Sequence, residues 1–216
     1  LRLPVVGSPL FIVSNPKLVI AQCTNGVIGS MPALNARPAE VLEEWLQRIT
    51  TELREYKAKN PDKKVAPFAV NQIVHSSNDR LQHDIDLCEK YKVPIQITSL
   101  RAPDDVVKSA KRYGCLVFHD VTNVTHAKRA LQAGVDGLIL VCAGAGGHAG
   151  DAERDGGADQ AAVGLARQHP LVVRKLSIDQ LRRERELRRG RMEVVRAQHH
   201  PHVLRRILQQ AQHFGR

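Results

Sequence analysis

The stretch CLVFHDVTNVTHAKRALQAGVDGLILVC, residues 115–142, decides the fold class. It opens and closes on continuous apolar runs, 115–121 and 137–142, each of strand length and rich in β-branched residues. Between them 123–133 carries a helical pattern, opened by the capping residue Asn123 and closed by Gly134. Unbroken apolar runs, in place of strict alternation, belong to strands covered on both faces, and a helix joining two of them is a parallel crossover. The unit is β-α-β.

Working outward, the same alternation repeats toward the amino terminus. Strands are predicted at 3–7, 26–30, 65–73 and 94–100, and helices at 15–24, 37–59, 79–91 and 103–113. Asp79 and Pro103 are expected to open their helices, and Gly114 to close one. Six strands with five intervening helices fit either a (β/α) barrel or a doubly wound sheet. Polar residues gather at the strand ends: Asn71 on the third, Thr98 and Ser99 on the fourth, His119 and Asp120 on the fifth. A barrel makes such residues converge on one rim, the rim where barrel enzymes place their chemistry.

The loop after the sixth strand, Gly144-Ala145-Gly146-Gly147-His148-Ala149-Gly150, adds a flexible backbone and one imidazole to that rim. Glycine lets a main chain approach a flat or phosphorylated ligand closely. The spacing matches neither a Walker loop nor a GxGxxG dinucleotide turn.

Composition narrows the class. Apolar residues make up 43% of the 216, enough for a sizeable core. Cys23, Cys88, Cys115 and Cys142 stand far apart with no CxxC pair, which suggests reduced thiols and neither a metal site nor a disulfide framework. No apolar run has the length of a membrane span, and Pro4, Pro9 and Pro16 interrupt any secretory segment, so a cytoplasmic, non-membrane protein is expected. The chain opens on Leu1, and a few residues before it are expected. The net charge of +10 is concentrated in 151–216, which hold 14 Lys/Arg against 8 Asp/Glu.

Five blocks in order carry a resemblance: LPVVGSPLFIVSNPKLV (3–19), NGVIGSMPALNARP (25–38), APFAVNQIVHSSNDR (66–80), VPIQITSL (93–100) and the run from Leu116 through Gly150. Residues 1–150 resemble nitronate monooxygenases, formerly called 2-nitropropane dioxygenases. The resemblance implies a (β/α)8 TIM barrel, FMN as cofactor, an alkyl nitronate and O2 as substrates, and a carbonyl compound and nitrite as products, with no metal. It implies that His148 is the active-site histidine, acting as a base toward a neutral nitroalkane or as a hydrogen-bond donor to the nitronate. An unperturbed imidazole, titrating near pH 6.5, suits either role. The segment Gly7, Ser8, Pro9 and Leu10 is similar to the part of the family that runs along the isoalloxazine ring, and Asn71 matches an asparagine that hydrogen-bonds it. Gly144, Gly146 and Gly147 let their loop lie against the cofactor, and Thr98 and Asp120 complete the expected contacts, although some relatives carry lysine at the Asp120 position.

The family pattern stops after Gly150. The barrel is therefore expected to be truncated after about six βα units, with a linker at 151–164, a basic helical or disordered tail at 165–216, and no further strand. Asp151-Ala152-Glu153, written GAC GCT GAG, reads Thr-Leu-Ser one base later, the residues with which the family continues, although Arg154 does not give the proline that follows, so the tail reads either as a frameshift product or as selected sequence. Loops after the seventh and eighth strands commonly hold phosphate in such barrels, and their loss implies weakened or absent FMN binding, with the activity of the chain left open. Two rival readings follow. The basic tail could bind nucleic acid or an acidic protein, but it has no aromatic stacking platform, zinc spacing or helix-turn-helix, which argues against nucleic acid. The barrel could instead be an FMN and NAD(P)H-dependent enoyl-thioester reductase. Self-association of either form is left open.

Overall fold

The structure, a computed structural model, describes residues 1 and 5–141 and the backbone of 172–175. Six strands form one sheet: β1 (Gly29–Pro32), β2 (Phe68–Val74), β3 (Ile95–Leu100), β4 (Leu116–Val121), β5 (Gly137–Val141) and β6 (Val172–Lys175). Five helices occupy the first connections: α1 (Pro16–Thr24), α2 (Val41–Lys59), α3 (Leu81–Lys90), α4 (Asp104–Tyr113) and α5 (Val124–Ala133). Every pairing is parallel and the strand order is sequential, β1 through β6, with Val6 bridging Ile28 in parallel beyond β1.

That order resolves the choice left by the sequence. A doubly wound sheet reverses direction at a switch point and carries helices on both faces, whereas a barrel wall advances in one direction with helices on the outside. Here the helix residues pack with Met31, Phe68, Val70, Val117, Val121 and Leu138 on one face. The other face holds Ile28, Ala69, Ile95, Ile97, Leu116, Phe118 and Ile139, joined, among the described residues, by Leu1 and Val6 and by no helix. The fold is a TIM-barrel type α/β wall.

Local chemistry accounts for the element ends. Asn15 Oδ1 accepts from the N–H groups of Lys17 and Leu18 at 3.0 and 3.3 Å, and Asn123 Oδ1 accepts from His126 N at 2.8 Å. Gly114 and Gly134 terminate α4 and α5 at φ of 81° and 85°, a conformation that favours glycine. Several boundaries differ from expectation, among them the start of β2, at Phe68 in place of 65. α2 begins at Val41: Pro38 disfavours helical geometry at Arg37, and the N–H groups of Val41, Leu42 and Glu43 reach back only three residues, to Pro38 O, Ala39 O and Glu40 O, leaving 38–40 as a turn. α3 begins at Leu81, with Arg80 and not Asp79 at its cap position. β1 begins at Gly29, since Gly26 N–H still bonds Cys23 O at the end of α1. Of the first expected strand, residues 2–4 lie outside the described residues and Val6 contributes an isolated bridge.

The expectation of no strand beyond 142 is overturned by β6, which pairs with β5 from Leu138↔Val172 to Val141↔Lys175. Its signal is the short run Leu171-Val172-Val173, which the surrounding Arg and His residues obscure. The linker at 151–164 and the helices drawn in the rest of the tail lie outside the described residues.

Gly29 sets the closeness of α1 to the sheet. A Cβ there would sit 2.5 Å from Val19 O and 3.0 Å from Cys23 Sγ. Since the nearest obstacle is backbone, Gly29→Ala is expected to lower stability by about 1–3 kcal/mol in urea unfolding. An unchanged midpoint would mean that α1 slides outward freely.

Candidate active site

Neighbours in register on parallel strands point their side chains to the same face. Asn71 pairs with Ile97, and Thr98 with His119. Ile97 belongs to the inner cluster, so Asn71 is on the inner face, and so are Ser99 and Asp120, one residue past Thr98 and His119. Thr98 and His119 face the helices.

On the inner face the three residues form a chain of hydrogen bonds along the carboxyl rim. Asn71 Nδ2 donates to Ile97 O at 3.3 Å and to Ser99 Oγ at 3.0 Å, and Ser99 Oγ donates to Asp120 Oδ2 at 2.8 Å. Below it the wall is apolar, formed by Ala69, Ile97 and Phe118.

The segment from Gly7 to Leu10 borders the same rim beyond β1. Gly7 N–H donates to Ile28 O at 2.8 Å, and Ser30 Oγ donates to Gly7 O. Leu10 N–H donates to Ser14 Oγ at 2.9 Å. Asn35 fastens the following turn, donating from Nδ2 to Leu10 O and Ser14 O, both at 2.9 Å, and accepting from Ile12 N at 3.2 Å. Ile12 has a φ of 67°, unusual for a β-branched residue, and the turn leaves Phe11 and Ile12 exposed at 60% and 80%. Arg37 stacks over the Phe11 ring at 5.5 Å. The missing Cβ of Gly7 makes room for the Gln22 side-chain amide of α1. All three nearest atoms belong to the far end of that flexible side chain, which can move aside, so packing against α1 does not by itself require glycine there.

The structure thus brings Asn71, Asp120 and the Gly7–Leu10 backbone to the inner rim, and separates Thr98 from them. Thr98 is fully buried, donating to Phe118 O at 3.2 Å, with His119 Nδ1 2.8 Å from its hydroxyl. Its place on the inner rim is taken by Ser99. His148, Gly144, Gly146 and Gly147 lie outside the described residues. Among the described residues, no group of three or more His, Cys, Asp or Glu could hold a metal ion. No described helix is long and apolar enough to cross a membrane. Burial pushes the thiols of Cys23 and Cys115 up to about 12, and that of Cys88 well above its ordinary value, which leaves all three inert as nucleophiles.

Burial, reinforced by the neighbouring His126, pushes His119 down to about 4, so it is neutral at pH 7. An imidazole in the unfolded chain binds its proton near pH 6.5. Between those values the unfolded state holds more protons, so stability falls as the pH drops through the window. His119 alone is expected to remove roughly 2 kcal/mol between pH 7 and pH 5. Urea unfolding of the parent and His119→Asn at both pH values isolates that share. Parallel pH dependence in the two proteins would sink the assignment.

A model of the family described as "Nitronate monooxygenase" matches residues 2–178, past Gly150 and across β6. A "Probable nitronate monooxygenase" of Bacillus subtilis (strain 168) is 29% identical over 198 residues, covering 81% of this chain and 56% of the relative. Among solved structures, a nitroalkane oxidase from Streptomyces ansochromogenes superposes with a TM-score of 0.62 at 22% identity, over 79% of this chain and 58% of that one. FabK from Thermotoga maritima superposes with a TM-score of 0.57 at 23% identity, over 69% and 44%. The chain spans about half the length of the relatives it matches.

Proposed function

We propose, because the chain belongs to the nitronate monooxygenase family, that its inner rim binds FMN and oxidises alkyl nitronates with O2 to a carbonyl compound and nitrite. The observation that carries the reading is the Asn71 amide. Its Nδ2 is committed to β3, and among the described residues its Oδ1 receives no hydrogen bond. An oriented acceptor above an apolar wall fits the polar edge of a flat heterocycle.

FMN, when bound, supplies the redox chemistry, accepting electrons from the nitronate and delivering them to O2. The protein's own contribution is binding and proton control. Asn71 would hold the ring edge, the Gly7–Leu10 backbone would run beside the ring, and Gly144, Gly146 and Gly147 would allow the later loop to approach it. His148 would take the α-proton from a neutral nitroalkane, or donate a hydrogen bond to a nitronate oxygen. Asp120 would act at a distance, through Ser99. A protein of the cytoplasm, with small-molecule substrates, accords with this reading.

The test is the visible spectrum of the purified chain after FMN addition and desalting, followed by anaerobic addition of propionate 3-nitronate. Retained flavin that bleaches on addition, with nitrite released once air is admitted, supports the proposal. A chain that retains no flavin overturns it for this polypeptide. Bleaching by NADPH but not by the nitronate would assign the rim to reductase chemistry instead.

A further inference from the structure

We infer that Ser99 and Asp120 are positioning residues that lock the Asn71 amide in one orientation, leaving its Oδ1 as an acceptor for a ring N–H. The ligand named here rests on the flavin reading; the locking does not.

The direction of the chain follows from what each partner can do. A carboxylate only accepts, so the Ser99 hydroxyl hydrogen is committed to Asp120 Oδ2 at 2.8 Å. Ser99 Oγ can then only accept from Asn71, at 3.0 Å. A backbone carbonyl also only accepts, and Ile97 O lies 3.3 Å from the same amide nitrogen. The two acceptors act together to place Nδ2 toward β3: Ile97 O, at 3.3 Å, is the longer contact, so the Ser99 hydroxyl carries most of the orientation, and the flipped amide would set Oδ1 against a carbonyl oxygen. Asn71 is only 6% exposed, so a flip would also leave polar atoms poorly solvated.

The consequence is selective. Oxidised isoalloxazine carries a single ring N–H, the imide of its pyrimidine portion, flanked by two carbonyls. A fixed acceptor at Asn71 would match that hydrogen, and a donor there would not.

The experiment compares FMN binding by the full-length parent, Ser99→Ala and Ser99→Thr, using flavin fluorescence. The same titrations are made with FMN methylated at the imide nitrogen. Loss of the hydroxyl is expected to weaken FMN binding roughly tenfold, the value of one hydrogen bond. Ser99→Thr, which keeps the hydroxyl, should stay within about twofold of the parent. The methylated flavin, having no imide hydrogen, should bind parent and Ser99→Ala alike. Equal FMN affinity in all three proteins, or equal loss of both flavins in Ser99→Ala, would overturn the inference. If the parent binds no FMN, the flavin reading fails, and exchange of the Asn71 side-chain amide protons decides the rest. Faster exchange in Ser99→Ala but not in Ser99→Thr supports the lock; unchanged exchange refutes it.

Discussion

Asp84→Ala is expected to cost about 3–5 kcal/mol, the usual penalty for breaking a buried ion pair from one side. Asp84 is fully buried in the first turn of α3. Its carboxylate receives Arg80 Nε at 3.2 and 3.1 Å, Arg80 Nη2 at 3.0 Å, and stands 3.1 Å from His83 Nδ1. The same guanidinium donates from Nη1 to Ala36 O at 2.7 Å. Arg80 thereby ties the start of α3 to the turn that leads from β1 toward α2, one residue past the Asn35 that fastens the Gly7–Leu10 segment. Alanine at 84 would leave a guanidinium only 15% exposed without its counter-ion. Urea unfolding measures the loss. A second variant separates charge from packing: Arg80→Met combined with Asp84→Leu should recover much of the stability, since apolar replacements of a buried pair are often neutral. A loss under about 1 kcal/mol in Asp84→Ala would mean that water reaches the site.

His148→Ala is expected to lower turnover of a neutral nitroalkane by roughly 10²–10⁴-fold, the contribution of a positioned general base. On preformed nitronate the α-proton is already gone, so the loss should be much smaller. FMN affinity should change little, because the role proposed for the imidazole is toward substrate. The comparison needs steady-state rates on both substrate forms and one flavin titration. Equal losses on the two forms would remove the proton-transfer role and leave only a binding one. Among the described histidines, His119 is buried beneath the helices and held neutral, so it cannot serve at the inner rim.

Parity separated what sequence reading grouped together. Thr98 and Asp120 both stood out as polar residues at strand ends, but register puts Thr98 opposite His119 and on the far side of the sheet from Asp120. Ser99, treated as one more rim residue, is the link between Asn71 and Asp120. The alternation Ile95, Ile97, Ser99 was available as a signal, since two apolar inner residues are followed at the same period by the hydroxyl. What no single strand could supply was its alignment with its neighbours. The Arg80–Asp84 clamp was hidden differently: an acidic residue four positions after an arginine reads as a solvated helix pair until its burial is known. β6 was masked by composition, because its few apolar residues stand among Arg and His.

By itself the sequence determined the β-α periodicity, the Asn123 cap, the glycine stops of α4 and α5, and the family. These depend on local spacing and on side chains reaching their own backbone, which a linear chain specifies. The tertiary structure decided whether the sheet reverses or advances, which face each polar residue takes, and which partners orient the Asn71 amide. Those depend on strand order and register, which arise only when residues distant in the chain pair, and a shift of one residue would exchange the two faces.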